Sequence, residues 1–73
     1  MIELLNRIEE LELREAEAEE AGNEDLADEL YTEKYRTAEK AAAIIEKATN
    51  EIDHITAMRM VWHKREELKR IFA

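Results

Sequence analysis

Strong turn signals are almost absent from this sequence, which contains one glycine and no proline in 73 residues. The one glycine is followed by an asparagine, at Gly22-Asn23. Glycine commonly ends a helix by adopting a left-handed conformation, and asparagine is a favoured N-cap for the helix that follows. We therefore predict a first helix over residues 2–21, a turn, and a second helix that begins at residue 24.

The composition predicts an all-α protein with a single domain over residues 1–73. Charged residues make up 41% of the chain and hydrophobic residues 45%, and most of the chain is built from good helix formers such as Ala, Glu, Leu, Lys and Arg. This apolar content is too high for a disordered acidic tail. Cysteine is absent, which excludes disulfides and thiolate metal sites.

An apolar stripe runs along both predicted helices. In the first helix it begins at Leu4 and Leu5 and repeats at spacings of three and four. In the second helix the mean spacing is roughly 3.5, which indicates slight left-handed supercoiling. The second stripe consists of Tyr31, Tyr35, Ala38, Ala42, Ile45, Ile52 and Ile55.

Helix lengths raise the question of what covers this stripe. At 1.5 Å per residue, the first helix spans roughly 30 Å and an unbroken helix over 24–72 roughly 70 Å. In a hairpin that turns at Gly22, residues whose numbers sum to about 45 face each other, so Leu4 meets Ala41. Apolar residues beyond about Ala48 then have no partner in their own chain, and we predict that they form an interface. The interface residues are Ile52, Ile55, Met58, Val61, Trp62, Leu68 and Phe72.

Two architectures satisfy these constraints. The first is an antiparallel helical hairpin with a long second helix, which dimerises into a helical bundle or coiled coil. The alternative is a compact three-helix bundle of helices 2–21, 24–48 and 51–72, with a bend at Thr49-Asn50. The continuous stripe and the missing turn residues favour the first, whereas the similar helix lengths favour the second.

Charge is distributed unevenly along the chain. Residues 1–33 carry 13 acidic and 2 basic residues, whereas residues 34–73 carry 6 acidic and 9 basic residues. This asymmetry predicts pairing between the halves, within one chain or between two copies. The basic residues of the last helix spread around its circumference instead of forming one face, so a nucleic-acid or membrane-surface partner is not predicted. An acidic inhibitor that mimics nucleic acid is an alternative function.

The segment EIDHITAMRMVW contains a candidate metal site. Glu51 and His54 are three apart, a spacing that places both on one helical face, and the segment resembles the Glu-x-x-His helix of ferritin-like and encapsulated-ferritin proteins. The resemblance implies that Glu51 and His54 are metal ligands and that dimerisation completes the site. The family also needs a glutamate on the facing helix, which a straight hairpin does not supply here. A bend at Thr49, bringing Glu3 or Glu46 near, or a second chain would be required.

The sequence offers no other site chemistry. It contains no serine or cysteine nucleophile, and a single glycine cannot form a glycine-rich phosphate loop. We therefore predict a non-enzymatic protein–protein interaction or oligomerisation module, such as an adaptor, inhibitor or regulator, with no cofactor and no small-molecule substrate. The expected partner is a second copy, another protein, or both. Since no uninterrupted apolar segment suits a signal peptide or a membrane span, the expected location is cytoplasmic.

Overall fold

The computed structural model describes all 73 residues and contains four helices and no strand. The helices are α1 (Ile2–Glu20), α2 (Glu24–Thr49), α3 (His54–His63) and α4 (Arg65–Ile71). The predicted all-α class is confirmed. The fold is an α1–α2 hairpin against which the shorter α3 and α4 pack.

The turn between α1 and α2 forms where the sequence predicted it. Gly22 has a φ of 73°, and the Asn23 N–H donates to the Ala18 carbonyl at 2.9 Å while the Gly22 N–H donates to the Glu19 carbonyl at 3.1 Å. These two bonds form a Schellman motif, which satisfies the last carbonyls of α1. The Asn23 side chain then caps α2 by accepting a hydrogen bond from the Leu26 N–H at 3.3 Å. Two adjacent residues therefore end one helix and begin the next.

The hairpin is antiparallel, as its ion pairs show. Arg7 pairs with Glu33 at 2.9 Å, and Lys34 pairs with Glu15 at 2.6 Å. The residue numbers in these pairs sum to values on either side of the predicted 45. The predicted pairing between an acidic first half and a basic second half occurs within one chain, in the pairs Lys34–Glu15, Arg65–Glu12 and Lys69–Glu9.

The long second helix predicted from the stripe is wrong, because α2 ends at Thr49. Asn50 adopts a left-handed conformation, with φ 60° and ψ −2°, and its N–H donates to the Glu46 carbonyl. Asparagine tolerates this conformation better than most residues, so it can end the helix at a position where glycine is usually found. Asp53 then caps α3 by accepting a hydrogen bond from the Thr56 N–H at 2.8 Å. The bend belongs to the alternative three-helix architecture, although its third helix begins at residue 54 and is itself interrupted.

The interruption lies at Lys64, between α3 and α4, and no sequence signal predicted it. Lys64 has φ −125° and ψ 30°, outside helical geometry. Beyond it, Arg65 pairs with Glu12 and Lys69 pairs with Glu9. Because the acidic partners move backward along α1 as the chain advances, α4 turns toward the N-terminal end of α1.

The apolar core is divided into two clusters. The larger one draws on all four helices, whereas the smaller one, next to the Gly22 turn, contains residues of α1 and α2 alone. The molecule is 41 Å long and 21 Å by 16 Å across. The hairpin sets this long dimension, and α3 and α4 cover one half of it. The half that they leave uncovered, residues 13–35, is called the hairpin tip below. The larger cluster is Leu5, Ile8, Ala38, Ala41, Ala42, Ile45, Ala57, Met58, Val61 and Leu68, and the smaller is Leu11, Ala18, Ala27 and Leu30.

Six of the seven predicted interface residues lie in the larger cluster or pack partly against it. Met58, Val61 and Leu68 are buried, while the remaining apolar side chains of the stripe, except one, pack partly against the same cluster. The premise that residues 52–72 have no partner in their own chain is therefore wrong, because the bend at Asn50 folds α3 back onto α2. The exception is Ile55, whose residue is 65% exposed. The partly buried members are Ile52, Trp62 and Phe72.

Candidate functional site

One face of α2 is covered by α3 at one end and open at the other. Ala38 and Ala42 are fully buried, and both belong to the cluster that α3 completes. The same face continues toward the hairpin tip at spacings of three and four, through Tyr35 and then Tyr31. There α3 has already ended, and the two tyrosines are 41% and 52% exposed. Both tyrosines belong to the apolar stripe of α2, but the fold leaves this end of the stripe exposed.

A lysine sits where the covered part of this face meets the open part. The Lys34 ammonium pairs with the Glu15 carboxylate at 2.6 Å, and their side chains are 14% and 15% exposed. The ammonium also lies 5.2 Å from the centroid of the Tyr31 ring and 5.7 Å from that of Trp62. These distances permit cation–π attraction. This end of the open face therefore already holds a cation between a carboxylate and two aromatic rings.

The hairpin tip carries a concentrated negative charge. No basic residue occurs between Arg14 and Lys34, while nine acidic residues lie between them. Two of the nine, Glu15 and Glu33, form ion pairs. The other seven form no ion pair with any basic side chain. They are Glu17, Glu19, Glu20, Glu24, Asp25, Asp28 and Glu29.

Of the two predicted metal ligands, the structure pairs His54 with Glu46 and does not pair it with Glu51. His54 Nδ1 lies 3.2 Å from Glu46 Oε2, across the turn between α2 and α3. Glu51 is exposed in that turn, where its N–H donates to the Thr49 hydroxyl at 3.1 Å. No group of three or more His, Asp or Glu side chains is placed to hold a metal ion. Since protein zinc sites use at least three protein ligands, one chain does not complete a site here, and metal binding by Glu51 and His54 stays a prediction that needs a second chain.

Two surface depressions accompany these features. One, of about 330 Å³, lies on the side of the hairpin tip away from the tyrosines and is lined by apolar residues that include Leu26 and Leu30. The other, of about 290 Å³, lies beside the break at Lys64 and is lined mainly by charged side chains together with Trp62. The first is open because, at the tip, only α1 and α2 pack together.

Isolated exposed apolar side chains occur elsewhere on the surface. Ile55 and Ile71, on α3 and α4, are 65% and 69% exposed, and Leu13 on α1 is 68% exposed. Sequence reasoning included Ile55 in the interface but left Ile71 and Leu13 out. The exposure of Ile71 depends on where α4 lies, which the unpredicted break at Lys64 determines.

None of the four helices combines the length and apolar composition that a membrane crossing requires. Comparison of the chain with protein-family models, curated proteins and solved structures finds no significant match.

Proposed function

We propose that this chain is a non-enzymatic protein–protein interaction module. The observation that carries the proposal is the pair of adjacent tyrosines on α2, Tyr31 and Tyr35, which remain 52% and 41% exposed where α3 stops. Tyrosine is enriched at the centres of protein interfaces, since it provides a large apolar area and a polar group on a side chain with few rotatable bonds. In this chain the two rings stand one helical turn apart and extend a face that already packs a helix.

A peptide-display selection on the immobilised protein tests this proposal. We expect enrichment of peptides that bind the free protein in solution with a Kd of about 100 μM or tighter. An unrelated acidic helical protein carried through the same selection controls for capture by charge alone. Failure to enrich any peptide beyond that control would remove the interaction module as the function.

Self-association is a second candidate function, and the exposure of Ile55 and Ile71 favours it. Most of the stripe over residues 52–72 is occupied within the chain, so a dimer would have to use the apolar side chains that remain free. Light scattering of the wild type and of Ile55→Glu distinguishes the two outcomes, with Leu13→Glu as the matched control at nearly equal exposure. A dimer that dissociates only in Ile55→Glu supports the candidate, whereas a wild-type monomer at about 100 μM removes it.

A further inference from the structure

The open face of α2 borders the groove between α1 and α2, and further along the hairpin α3 packs against α2 while α4 packs against α1. On α2, the face that carries Ala42 and Ala38 continues through Tyr35 and Tyr31 and reaches Asp28 and Glu24 at the same three- and four-residue spacing. From residue 24 to residue 35 the uncovered length is roughly 18 Å. A helix of three to four turns matches that length.

The opposite wall of this groove lies on α1. Glu12, Ala16 and Glu19 follow one another at spacings of four and three, and Arg65 of α4 pairs with the first of them. Beyond Glu12 the chain has no further cation for this wall, because α4 turns away. Glu19 remains exposed and forms no ion pair. The uncovered groove therefore has tyrosine rings along its length and carboxylates on both walls.

We propose that the groove at the hairpin tip binds a basic amphipathic helix of a partner protein. The inference rests on the proposed interaction function and names the surface and the partner's chemistry. An apolar stripe on the partner covers Tyr31 and Tyr35, as α3 covers Ala38 and Ala42 further along. Lysine or arginine side chains flanking that stripe meet Asp28 and Glu24 on one wall and Glu19 on the other.

Two features of the chain indicate a helical and basic occupant. The covered half of the hairpin is packed by helices, α3 against α2 and α4 against α1, so the uncovered continuation between α1 and α2 suits helix-in-groove recognition. Lys34 shows that an ammonium fits at the end of the open face, between Glu15 and the rings of Tyr31 and Trp62. A lysine of the partner that lies one or two helical turns closer to the Gly22 turn would contact a tyrosine ring and a carboxylate, as Lys34 does.

A second copy of this chain does not suit the groove. Residues 1–33 hold 13 acidic and 2 basic residues, so two hairpin tips repel each other. The basic segment of the chain, α3 and α4, already buries Met58, Val61 and Leu68 in its own core. Docking that segment into another copy would expose this core, so the occupant must be a different molecule.

Titration with three synthetic peptides of 14 residues tests the proposal. The first places leucines on one helical face and lysines on the other, the second replaces its lysines by glutamates, and the third has the composition of the first in an order with no apolar face. Trp62 is the only tryptophan and lies at the end of the groove, so its fluorescence reports binding. We expect the first peptide to bind at least about tenfold more tightly than either of the others.

Two matched substitutions on α2 locate the binding surface. Tyr35 and Leu26 are 41% and 42% exposed and lie on different sides of the helix. We expect Tyr35→Glu to weaken binding of the first peptide by about tenfold or more and Leu26→Glu to leave it within about twofold. Because each substitution adds a negative charge, attraction by charge alone would make both variants bind more tightly. Circular dichroism confirms that both variants remain helical.

Amide chemical-shift changes in the full chain complete the test. Changes concentrated in residues 12–35 agree with the proposal. Chemical-shift changes centred on Ile55 or Ile71 would overturn it, and so would the absence of binding by the basic peptide. It would also be overturned if the reordered peptide bound equally well, or if Tyr35→Glu bound the first peptide as tightly as the wild type. The display selection tests the interaction function separately. If the selected peptides bind outside the groove, the protein is still an interaction module, but the proposed basic helical partner is ruled out.

Discussion

The pair formed by Lys34 and Glu15 is the most enclosed ion pair of the chain, and its environment sets the cost of breaking it. Replacing the lysine by methionine keeps most of the apolar stem but leaves a carboxylate that is 15% exposed without its cation. We expect Lys34→Met to lower the free energy of unfolding by about 1–3 kcal/mol, between the values typical of exposed and buried pairs. Urea denaturation measures the change.

The control for this substitution is an exposed pair on α1. Arg14 and Glu10 are 3.6 Å apart with side chains 55% and 51% exposed, so Arg14→Met should change the free energy of unfolding by less than about 0.5 kcal/mol. Adding Glu15→Leu to Lys34→Met should restore part of the loss, because an apolar pair replaces an unpaired carboxylate. Equal effects of the two single substitutions would show that the enclosure of Lys34 contributes nothing.

Asp53, the N-cap of α3, predicts a dependence of stability on pH. Hydrogen bonds from Thr56 to the carboxylate hold the pKa of Asp53 below its ordinary value of 3.8. A group whose pKa is lower in the folded state stabilises that state above its unfolded pKa, and the contribution is lost as the pH falls through the folded pKa. We therefore expect the wild type to lose stability on acidification below about pH 4 partly through Asp53.

Two variants separate this titration from the loss of the cap itself. Asp53→Asn keeps an acceptor for the Thr56 N–H but does not titrate, whereas Asp53→Ala removes the acceptor altogether. The urea midpoint of Asp53→Asn should be lower than that of the wild type at pH 7. At pH 2.5 the two midpoints should be nearly equal. The midpoint of Asp53→Ala should be the lowest at pH 7. A constant difference between wild type and Asp53→Asn over this range would rule out the titration.

At the scale of elements, the bend between α2 and α3 depends on the left-handed residue Asn50. A β-branched residue resists this conformation by about 1–2 kcal/mol, whereas glycine adopts it freely. We expect Asn50→Ile to lower the free energy of unfolding by about that amount and Asn50→Gly to leave it unchanged or slightly higher. Urea denaturation measures both. Asn6→Ile, at an exposed position within α1, is the control, and a loss as large as that of Asn50→Ile would show that the bend is not the cause.

The same bend marks the limit of what the sequence predicts about these elements. Gly22-Asn23 signalled its turn because glycine at the end of one helix and asparagine at the start of the next are both strongly favoured there. The alternative architecture places a bend at Thr49-Asn50, but the apolar repeat on either side of it fits a continuous helix equally well. The choice is decided by α3 packing on α2, a tertiary contact that no local pattern encodes.

The candidate interaction surface was less predictable than the turns. Tyr31 and Tyr35 have the spacing of buried residues, and only the end of α3 at His63 leaves them exposed. The exposure of the two tyrosines therefore depends on the break at Lys64. No glycine, proline or asparagine lies at this break to predict it from the sequence. The charge asymmetry was more informative, since the halves pair as expected and the unpaired remainder lies at the hairpin tip.

At the scale of the whole molecule, the two halves of the hairpin should differ in stability. The core half contains residues of all four helices, whereas the tip is held by four buried residues of α1 and α2. Local opening requires less free energy where fewer apolar contacts are lost. We expect amide hydrogen exchange in residues 27–33 to proceed by local opening and that in residues 38–45 to require global unfolding. Equal opening free energies in the two segments, measured by native-state exchange at increasing urea concentration, would contradict this division.

Salt should affect the two halves in opposite directions. Seven carboxylates of the tip have no ion-pair partner, whereas Glu9 and Glu12 in the other half are paired with Lys69 and Arg65. Raising the ionic strength from about 0.01 M to about 0.15 M shortens the screening length from about 30 Å to about 8 Å, which weakens repulsion at the tip and attraction in the paired half. We expect protection from hydrogen exchange to rise with salt in residues 27–33 and to stay constant or fall in residues 38–45. If protection from exchange changed with salt in the same direction in both segments, the effect would come from the net charge of the whole molecule. The tip would then have no local excess of negative potential to attract a basic helix.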